Sequence, residues 1–176
     1  RDVAPSRGLG DVYKRQRKSC ENVVAAMKKH WPNVDSLRDA TYDMLDEVRP
    51  EVSEEDALRA KYVIGEKYRV LEVCVALEEG DYEEVGKKMY ETHYGLSKEY
   101  EVSCPELDFL NDVAHSCGVT GSRIMGGGFG GCTINLVSDD LYANFIETAK
   151  KAYKEKFGKE PIVIDVVIGD GSRKLC

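Results

Sequence analysis

Apolar residues recur at helical spacing along most of this chain, so the sequence predicts a helix-rich protein. The first predicted helix ends at Pro32. Its apolar face is formed by Val24, Met27 and Trp31. A longer helix opens at the capping residues 53–56 and ends at Gly80. Its inward positions follow the helical repeat and are Ala60, Ile64, Leu71, Cys74 and Val75.

Two further helices carry start signals of their own. Residues 36–39 can cap a short helix that holds Tyr42 and Leu45. Residues 81–84 form a capping box that opens the next helix. The apolar stripe of that helix consists of Val85, Met89 and Leu96. His93 lies close to this stripe, and we interpret it as a satisfied, half-buried residue rather than a ligand.

Ser103 is predicted to cap the following helix, with Pro105 in its first turn and Glu106 completing the capping box. Its inward stripe consists of Leu107, Leu110, Ala114 and Cys117. On local grounds this segment is simply a good helix start. Glu106 and Asp108 stand two apart on a helix and point to different faces, so we exclude them as a catalytic acid–base pair.

Two segments have the composition of β-strands. Residues 132–137 alternate in polarity, and residues 162–168 form a β-branched run that follows Pro161. Between them a helix begins near Ser138 and ends at Gly158. About six helices with few strands predict an α+β fold.

The first sixteen residues show neither helical nor strand periodicity. Their composition resembles a translated cloning linker rather than part of a domain. We therefore predict that residues 1–16 are a non-native or disordered leader that contributes nothing to stability. One domain is predicted to span residues 17–176.

Five glycines crowd the stretch between residues 126 and 131, and they are Gly126, Gly127, Gly128, Gly130 and Gly131. Such a run destabilises a fold unless the backbone needs positive φ angles or must approach another group closely. Successive N–H groups in such a loop can form a nest for phosphate oxygens. A tight turn without a ligand is the alternative, and composition alone leaves both open.

The glycine spacing formally satisfies G-x-G-x-x-G at Gly126, Gly128 and Gly131. A dinucleotide-binding fingerprint needs a helix after the glycines, whereas a predicted strand follows here. A P-loop would end in Gly-Lys-Ser or Gly-Lys-Thr, and the protein-kinase signatures are absent downstream. The three familiar glycine motifs are therefore excluded by their context.

Composition narrows the classes of function. The chain has 176 residues, of which 42% are hydrophobic and 32% charged, as expected for one globular domain. A net charge of −7 argues against nucleic acid and anionic membranes as partners. The cysteines lack disulfide or zinc spacing and are typical of a reduced, cytoplasmic protein.

Candidate chemistry is sparse. Arg123 is one cation near the glycines that could support bound phosphates. The sequence offers no evident general base, no cluster of metal-binding carboxylates and no nucleophile dyad. We therefore predict no catalytic residue and no metal ligand in this chain.

Two motifs in this order resemble the C-terminal half of the galactokinase family, in the GHMP kinase superfamily. They are SCPELD at residues 103–108 and GSRIMGGGFGGC at residues 121–132. The glycine run looks like the third motif of that superfamily. The resemblance covers residues 17–176 and implies a GHMP kinase C-terminal domain, with helices layered on a mostly antiparallel sheet.

The resemblance further implies ATP and Mg²⁺ as cofactors and galactose as substrate, phosphorylated at O1. It assigns the glycines at positions 126, 127, 128, 130 and 131 to the phosphate side of the ATP site. It also aligns Tyr13 with a galactose-contacting tyrosine of the family. The family's catalytic Asp, phosphate loop and Mg²⁺ ligands have no counterpart in this sequence.

We therefore expect a C-terminal fragment that is inactive alone and belongs to an enzyme that is monomeric when complete. Two alternatives remain open. One is a galactokinase-like sensor that binds sugar and ATP without turnover. The other is a GHMP kinase for a related sugar such as N-acetylgalactosamine.

Overall fold

The computed structural model describes the backbone of residues 7–167 and of Gly169, with side chains from residue 13 onward. Its helices are α1 (Arg7–His30), α2 (Tyr42–Val48), α3 (Glu54–Glu79), α4 (Tyr82–Lys98), α5 (Pro105–Ser116) and α6 (Asp139–Phe157). A short 3-10 helix, Arg49–Glu51, follows α2. The strands β1 (Gly121–Met125) and β2 (Cys132–Leu136) stand between α5 and α6 and pair antiparallel.

The long helices begin and end where the capping residues predicted. The Ser53 hydroxyl accepts a hydrogen bond from Asp56 N at the start of α3, at 3.1 Å. Gly80 ends α3 with a φ of +73°, the left-handed conformation that favours glycine. Asp81 caps α4 by accepting from Glu84 N at 3.0 Å. Each side chain satisfies a backbone donor that the helix itself leaves unpaired.

Two predicted caps are wrong. Thr41, rather than residues 36–39, caps α2, and its hydroxyl accepts from Met44 N. Residues 36–39 instead form a turn in which the Asp39 carboxylate accepts from Ser36 N. The N-cap of α5 is Cys104, which makes no side-chain capping bond. Ser103 precedes it, and its hydroxyl donates to the Asp108 side chain and, at 3.5 Å, to the Cys104 carbonyl rather than accepting from a backbone N–H of the helix.

The expectation that residues 1–16 are disordered is wrong from Arg7 onward, whereas their origin as a non-native leader stays a prediction. Residues 7–16 are the first part of α1, and residues 1–6 lie outside the described residues. Gln16 is 0% exposed, and its amide donates to the carbonyl oxygens of Tyr100 and Glu101 at 2.8 and 3.2 Å. Periodicity missed this segment because its buried anchor is polar rather than apolar.

The second predicted strand is also wrong for the residues that are described. Residues 162–167 have no regular secondary structure, and Ile162 and Val167 are 89% and 91% exposed. A strand is stabilised by hydrogen bonds to a neighbouring strand, and the described sheet contains only β1 and β2. Conversely, β1 was not predicted, because its burial depends on helices distant in sequence.

The helices form two apolar clusters. The first joins α1, α2 and α3 through buried side chains such as Met27, Leu45 and Ile64. The second joins α5 and α6 through Val113, Phe145 and Ala149. On α3 these contacts bury Ala60 and Ile64, as the helical spacing predicted. The prediction is wrong for Leu71, Cys74 and Val75, which are exposed because the described helices do not cover the C-terminal half of α3.

Helix α4 links the two clusters, because it packs on α3 and on β1. Its approach to β1 is so close that a Cβ at Gly86 would lie 1.9 Å from the carbonyl oxygen of Thr120. A Cβ at Gly121 would lie 2.6 Å from Gly86 Cα. Glycine at both positions lets helix and strand meet backbone to backbone.

The architecture is α+β, with helices packed on an antiparallel hairpin. Among the described residues, no helix is both long enough and apolar enough to cross a membrane.

Candidate functional site

The glycine loop, residues 126–131, connects β1 to β2, and the residues that flank it, Met125 and Cys132, are paired across the two strands. Four glycines have φ between +79° and +121°, and they are Gly126, Gly128, Gly130 and Gly131. Phe129 shares the left-handed conformation, with a φ of +59°. The loop therefore uses the conformational freedom of glycine at most of its positions.

One side of the loop packs against the connector between α4 and α5, residues 99–104. A Cβ at Gly128 would lie 2.2 Å from the Val102 carbonyl oxygen, which leaves no room for a side chain. The same oxygen accepts a hydrogen bond from Phe129 N at 2.6 Å. Sequence reasoning missed Val102, since a buried valine upstream of a helix carries no signal of this contact.

The other side of the loop is open. A Cβ at Gly126, Gly127, Gly130 or Gly131 would meet no atom of the described chain within 4 Å. Gly127 also lacks a positive φ, so neither its backbone conformation nor its surroundings require glycine. The loop therefore has a pinned side at Gly128 and an open side that another group can approach.

Arg123 lies on β1, opposite Ile134 of β2. Its guanidinium donates to the carbonyl oxygen of Ile124 at 3.4 Å, and the side chain is half-buried. Burial raises the pKa of Tyr62 on α3, and the positive charge of Arg123 opposes part of that rise. The described hydrogen bond of Arg123 thus lies within the hairpin, and the supporting role at bound phosphates stays a prediction.

Tyr13 lies on α1 and is 59% exposed. Helix α1 packs mainly against α3 and α2, whereas the glycine loop packs against Val102. Gln16, three residues further along α1, donates to the carbonyl oxygens of Tyr100 and Glu101, directly before the Val102 that accepts from Phe129. The galactose-contacting role of Tyr13 stays a prediction.

A cleft of about 890 Å³ lies elsewhere, where α2 and α3 face the connector that follows α4. Its lining includes Arg49, Arg59 and Lys98, but also Glu54 and Glu101. Because acids offset the cations, this cleft has no electrostatic preference for a phosphate group.

A magnesium ion does not fit the residues of the loop. In the described part of the chain, no group of three or more His, Cys, Asp or Glu residues could hold a metal ion. The glycine loop itself supplies only backbone groups, whereas Mg²⁺ is bound through carboxylates and phosphate oxygens.

Residues 74–155 match the family model of the GHMP kinase C-terminal domain. This chain carries a GHMP kinase C-terminal domain. The match begins within α3 and ends within α6, so it contains α4, α5, the hairpin and the glycine loop. The resemblance seen in the motifs at residues 103–108 and 121–132 is confirmed.

The chain is also homologous to galactokinases over nearly its whole length. It is 41% identical to the galactokinase of Clostridium beijerinckii over 172 residues, covering 96% of this chain and 44% of that protein. It is 39% identical to human galactokinase over 165 residues, covering 93% of this chain and 40% of the human protein. This GHMP kinase chain thus spans less than half the length of these relatives.

A solved structure confirms the predicted fold class. The galactokinase of Lactococcus lactis, in complex with galactose, superposes on this chain with a TM-score of 0.79 at 26% identity. The match covers 91% of this chain and 40% of the Lactococcus lactis chain.

Proposed function

We propose that this chain is the C-terminal half of a galactokinase, which transfers the γ-phosphoryl group of ATP to O1 of galactose. The similarity to galactokinases over nearly the whole chain supports this assignment. In this proposal the catalytic base, the Mg²⁺ ligands and most of the sugar pocket come from a part of the enzyme that this chain does not contain.

The role proposed for this chain is to hold the glycine loop at the phosphate side of the ATP site. Phosphoryl transfer depends mainly on positioning and on stabilising negative charge. Backbone N–H groups in a loop of left-handed residues can converge on phosphate oxygens. The observation that carries the proposal is the open side of the loop, where Gly126, Gly127, Gly130 and Gly131 leave space for a close neighbour.

The deciding experiment uses Gly127, because the fold itself does not require glycine there. The chain is joined to the N-terminal half of a related galactokinase, and Gly127→Val is compared with the parent enzyme. If ATP approaches the open side, the variant should lose about tenfold or more in kcat/KM for ATP, which is about 1.4 kcal/mol of transition-state stabilisation. Its denaturant midpoint should stay unchanged.

Gly169→Val is the control, because a Cβ at Gly169 also meets no atom of the described chain within 4 Å. The control should keep parental kinetics. Parental kcat/KM in folded Gly127→Val would overturn the phosphate-side role and leave the loop as a tight turn. Galactose 1-phosphate formed by the joined enzyme tests the reaction itself, and N-acetylgalactosamine as a competing substrate tests the sugar.

We also propose a cytoplasmic location and a monomeric complete enzyme. The five cysteines among the described residues are free thiols, as expected in a reducing compartment. The five are Cys20, Cys74, Cys104, Cys117 and Cys132.

A further inference from the structure

A polar cluster lies behind the connector that holds the glycine loop. Its centre is the Asp108 carboxylate on α5. The Ser103 hydroxyl donates to Oδ1 of Asp108 at 2.5 Å, and the Ser97 hydroxyl donates to Oδ2 at 2.9 Å. His93 Nε2 lies 3.2 Å from the same Oδ1. One carboxylate therefore ties α4, α5 and the connector together.

His93 contributes a neutral donor to this cluster. The side chain is 5% exposed, and burial lowers its pKa more than the charge of Asp108 raises it. A neutral imidazole that faces a carboxylate through Nε2 carries its proton on that nitrogen. Among the described residues, the buried Nδ1 atom has no hydrogen-bond partner. The only described bond of the ring is thus the one to Asp108.

The cluster acts on the backbone next to Ser103. Val102, its neighbour, donates from its N–H to the Leu96 carbonyl at 2.9 Å and accepts from Phe129 N at 2.6 Å. The preceding residue, Glu101, has a φ of +56°, which is unfavourable for a residue with a side chain. The connector therefore holds an unfavourable conformation, and Ser103 is anchored directly beyond it.

Capping of α5 does not account for this arrangement. Asp108 makes no described hydrogen bond to a backbone N–H at the start of α5, which has no side-chain cap. The two carboxylate oxygens accept from Ser97 of α4 and from Ser103 of the connector. The charge of Asp108 in the first turn is favourable to the helix dipole, but the dipole does not account for the bonds from Ser97 and Ser103.

We propose that Asp108 is a positioning residue, which acts with His93 and Ser103 to fix the connector so that Val102 holds the glycine loop in place. The geometric part of this proposal stands on the contacts above. Its relevance to ATP rests on the proposed function, because only there is the glycine loop assigned to the phosphates.

The test measures hydrogen exchange of the Phe129 amide by NMR in the 176-residue chain, without nucleotide. Ser103→Ala removes one hydroxyl from the cluster. It does not remove a cap of α5, because the N-cap residue is Cys104. We expect the Phe129 amide to exchange at least about tenfold faster. Without the Ser103 hydroxyl the connector is less fixed, so the hydrogen bond from Phe129 N to the Val102 carbonyl opens more often. Ser103→Thr keeps a hydroxyl and should restore slow exchange. Asp108→Ala should have the larger effect.

Ser116→Ala is the matched control, since it removes a serine hydroxyl at the other end of α5 that bonds only the Val113 carbonyl among its described partners. It should leave Phe129 exchange unchanged. Amides of the α1–α3 cluster, such as Ile64, report the stability of the whole fold and should exchange as in the parent. Unchanged Phe129 exchange in folded Ser103→Ala would overturn the proposal. An equal rise at Ile64 would also overturn it, because it would show a general effect on stability.

The positioning role of Asp108 and the phosphate-side role of the glycine loop can be refuted independently of each other. Phe129 exchange contains no ATP-dependent step, so the positioning role can hold even if Gly127→Val leaves the kinetics unchanged. A kinetic loss in Gly127→Val with unchanged Phe129 exchange in Ser103→Ala would support only the phosphate-side role.

Discussion

Neighbouring glycines in one loop are required for different reasons. Gly128 needs glycine twice, because its φ is +79° and because Val102 occupies the space of a side chain. Gly126, Gly130 and Gly131 need it for their φ alone. Gly127 has neither requirement among the described residues, which is why it is the position that tests the proposed approach of ATP.

This difference predicts that substitutions at Gly128 and Gly127 affect stability to different extents. Gly128→Ala should lower the free energy of unfolding by about 1–3 kcal/mol, since it forces a strained backbone angle and displaces the connector. Gly127→Ala should stay within about 0.5 kcal/mol of the parent. Urea denaturation of the 176-residue chain measures both. Equal midpoints for the two variants would contradict the pinned side of the loop.

The buried histidine predicts a pH dependence. Burial lowers the pKa of His93 below its ordinary value of 6.5, so the folded protein keeps the ring neutral. In the unfolded chain the ring binds a proton as the pH falls through about 6.5. His93 therefore leaves stability intact above that pH and lowers it below, because protons favour the unfolded state.

Replacing His93 by Gln should flatten part of this dependence between about pH 7.5 and pH 5.5. Asp108 and Asp112, which raise the pKa, and Lys98, which lowers it, remain in the variant. The measurement is the difference in denaturation midpoint between the parent and His93→Gln at each pH. A difference that does not change with pH would show that His93 titrates alike in the folded and unfolded chain.

At the scale of helices and strands, the sequence predicted those helix ends that are determined by neighbouring residues. Ser53, Gly80 and Asp81 mark helix ends through bonds within a few residues, so patterns could find them. The errors had two causes. Ser103 donates to the Asp108 side chain five residues further on, and a capping pattern does not distinguish this bond from an N-cap. Elsewhere distant partners decide, since residues 162–167 lack a neighbouring strand in the described sheet. The positive φ of the glycines could be predicted from the sequence, whereas their contact with Val102 could not.

The start of α1 provides the clearest such case. Gln16→Ala should lower the free energy of unfolding by about 1–3 kcal/mol, because two carbonyl oxygens lose a buried donor. Arg17→Ala, which removes an exposed ion pair with Glu21, should cost about 0.5 kcal/mol or less. Thermal denaturation of both variants tests this. Equal melting temperatures would restore the original expectation that residues 1–16 do not contribute to stability.

At the scale of the molecule, the chain exposes apolar surface in two regions. One is the C-terminal half of α3, where Val70, Leu71 and Val75 are exposed. The other is the β-branched segment at residues 162–167. Exposed segments of this composition promote association between chains, as does the free edge of the described two-stranded sheet.

We therefore expect the isolated chain to self-associate as its concentration rises. Replacing both Ile164 and Val166 by Lys should reduce the apparent mass in sedimentation experiments, since charge opposes strand pairing. Asn144→Lys adds charge at an exposed position of α6 and serves as the control. A concentration-independent monomer in the parent chain would refute this expectation.

The chain alone should also show no galactokinase activity. Its described residues contain no group that could hold a metal ion, and the sequence offers no evident base for the galactose hydroxyl. A coupled assay with ATP, Mg²⁺ and galactose should remain at background. Turnover that copurifies with the chain and scales with its amount would show that the chemistry resides here.

The backbone contact between Gly86 and Gly121 has a consequence for the order of synthesis on the ribosome. Helix α4 leaves the exit tunnel before the hairpin, so the surface that receives β1 is already translated when β1 emerges. A side chain at Gly86 would block that surface against the Thr120 carbonyl. In nascent chains that carry Gly86→Val, the first apolar cluster would fold, but the hairpin could not dock on α4. Such partly folded chains would bind chaperones.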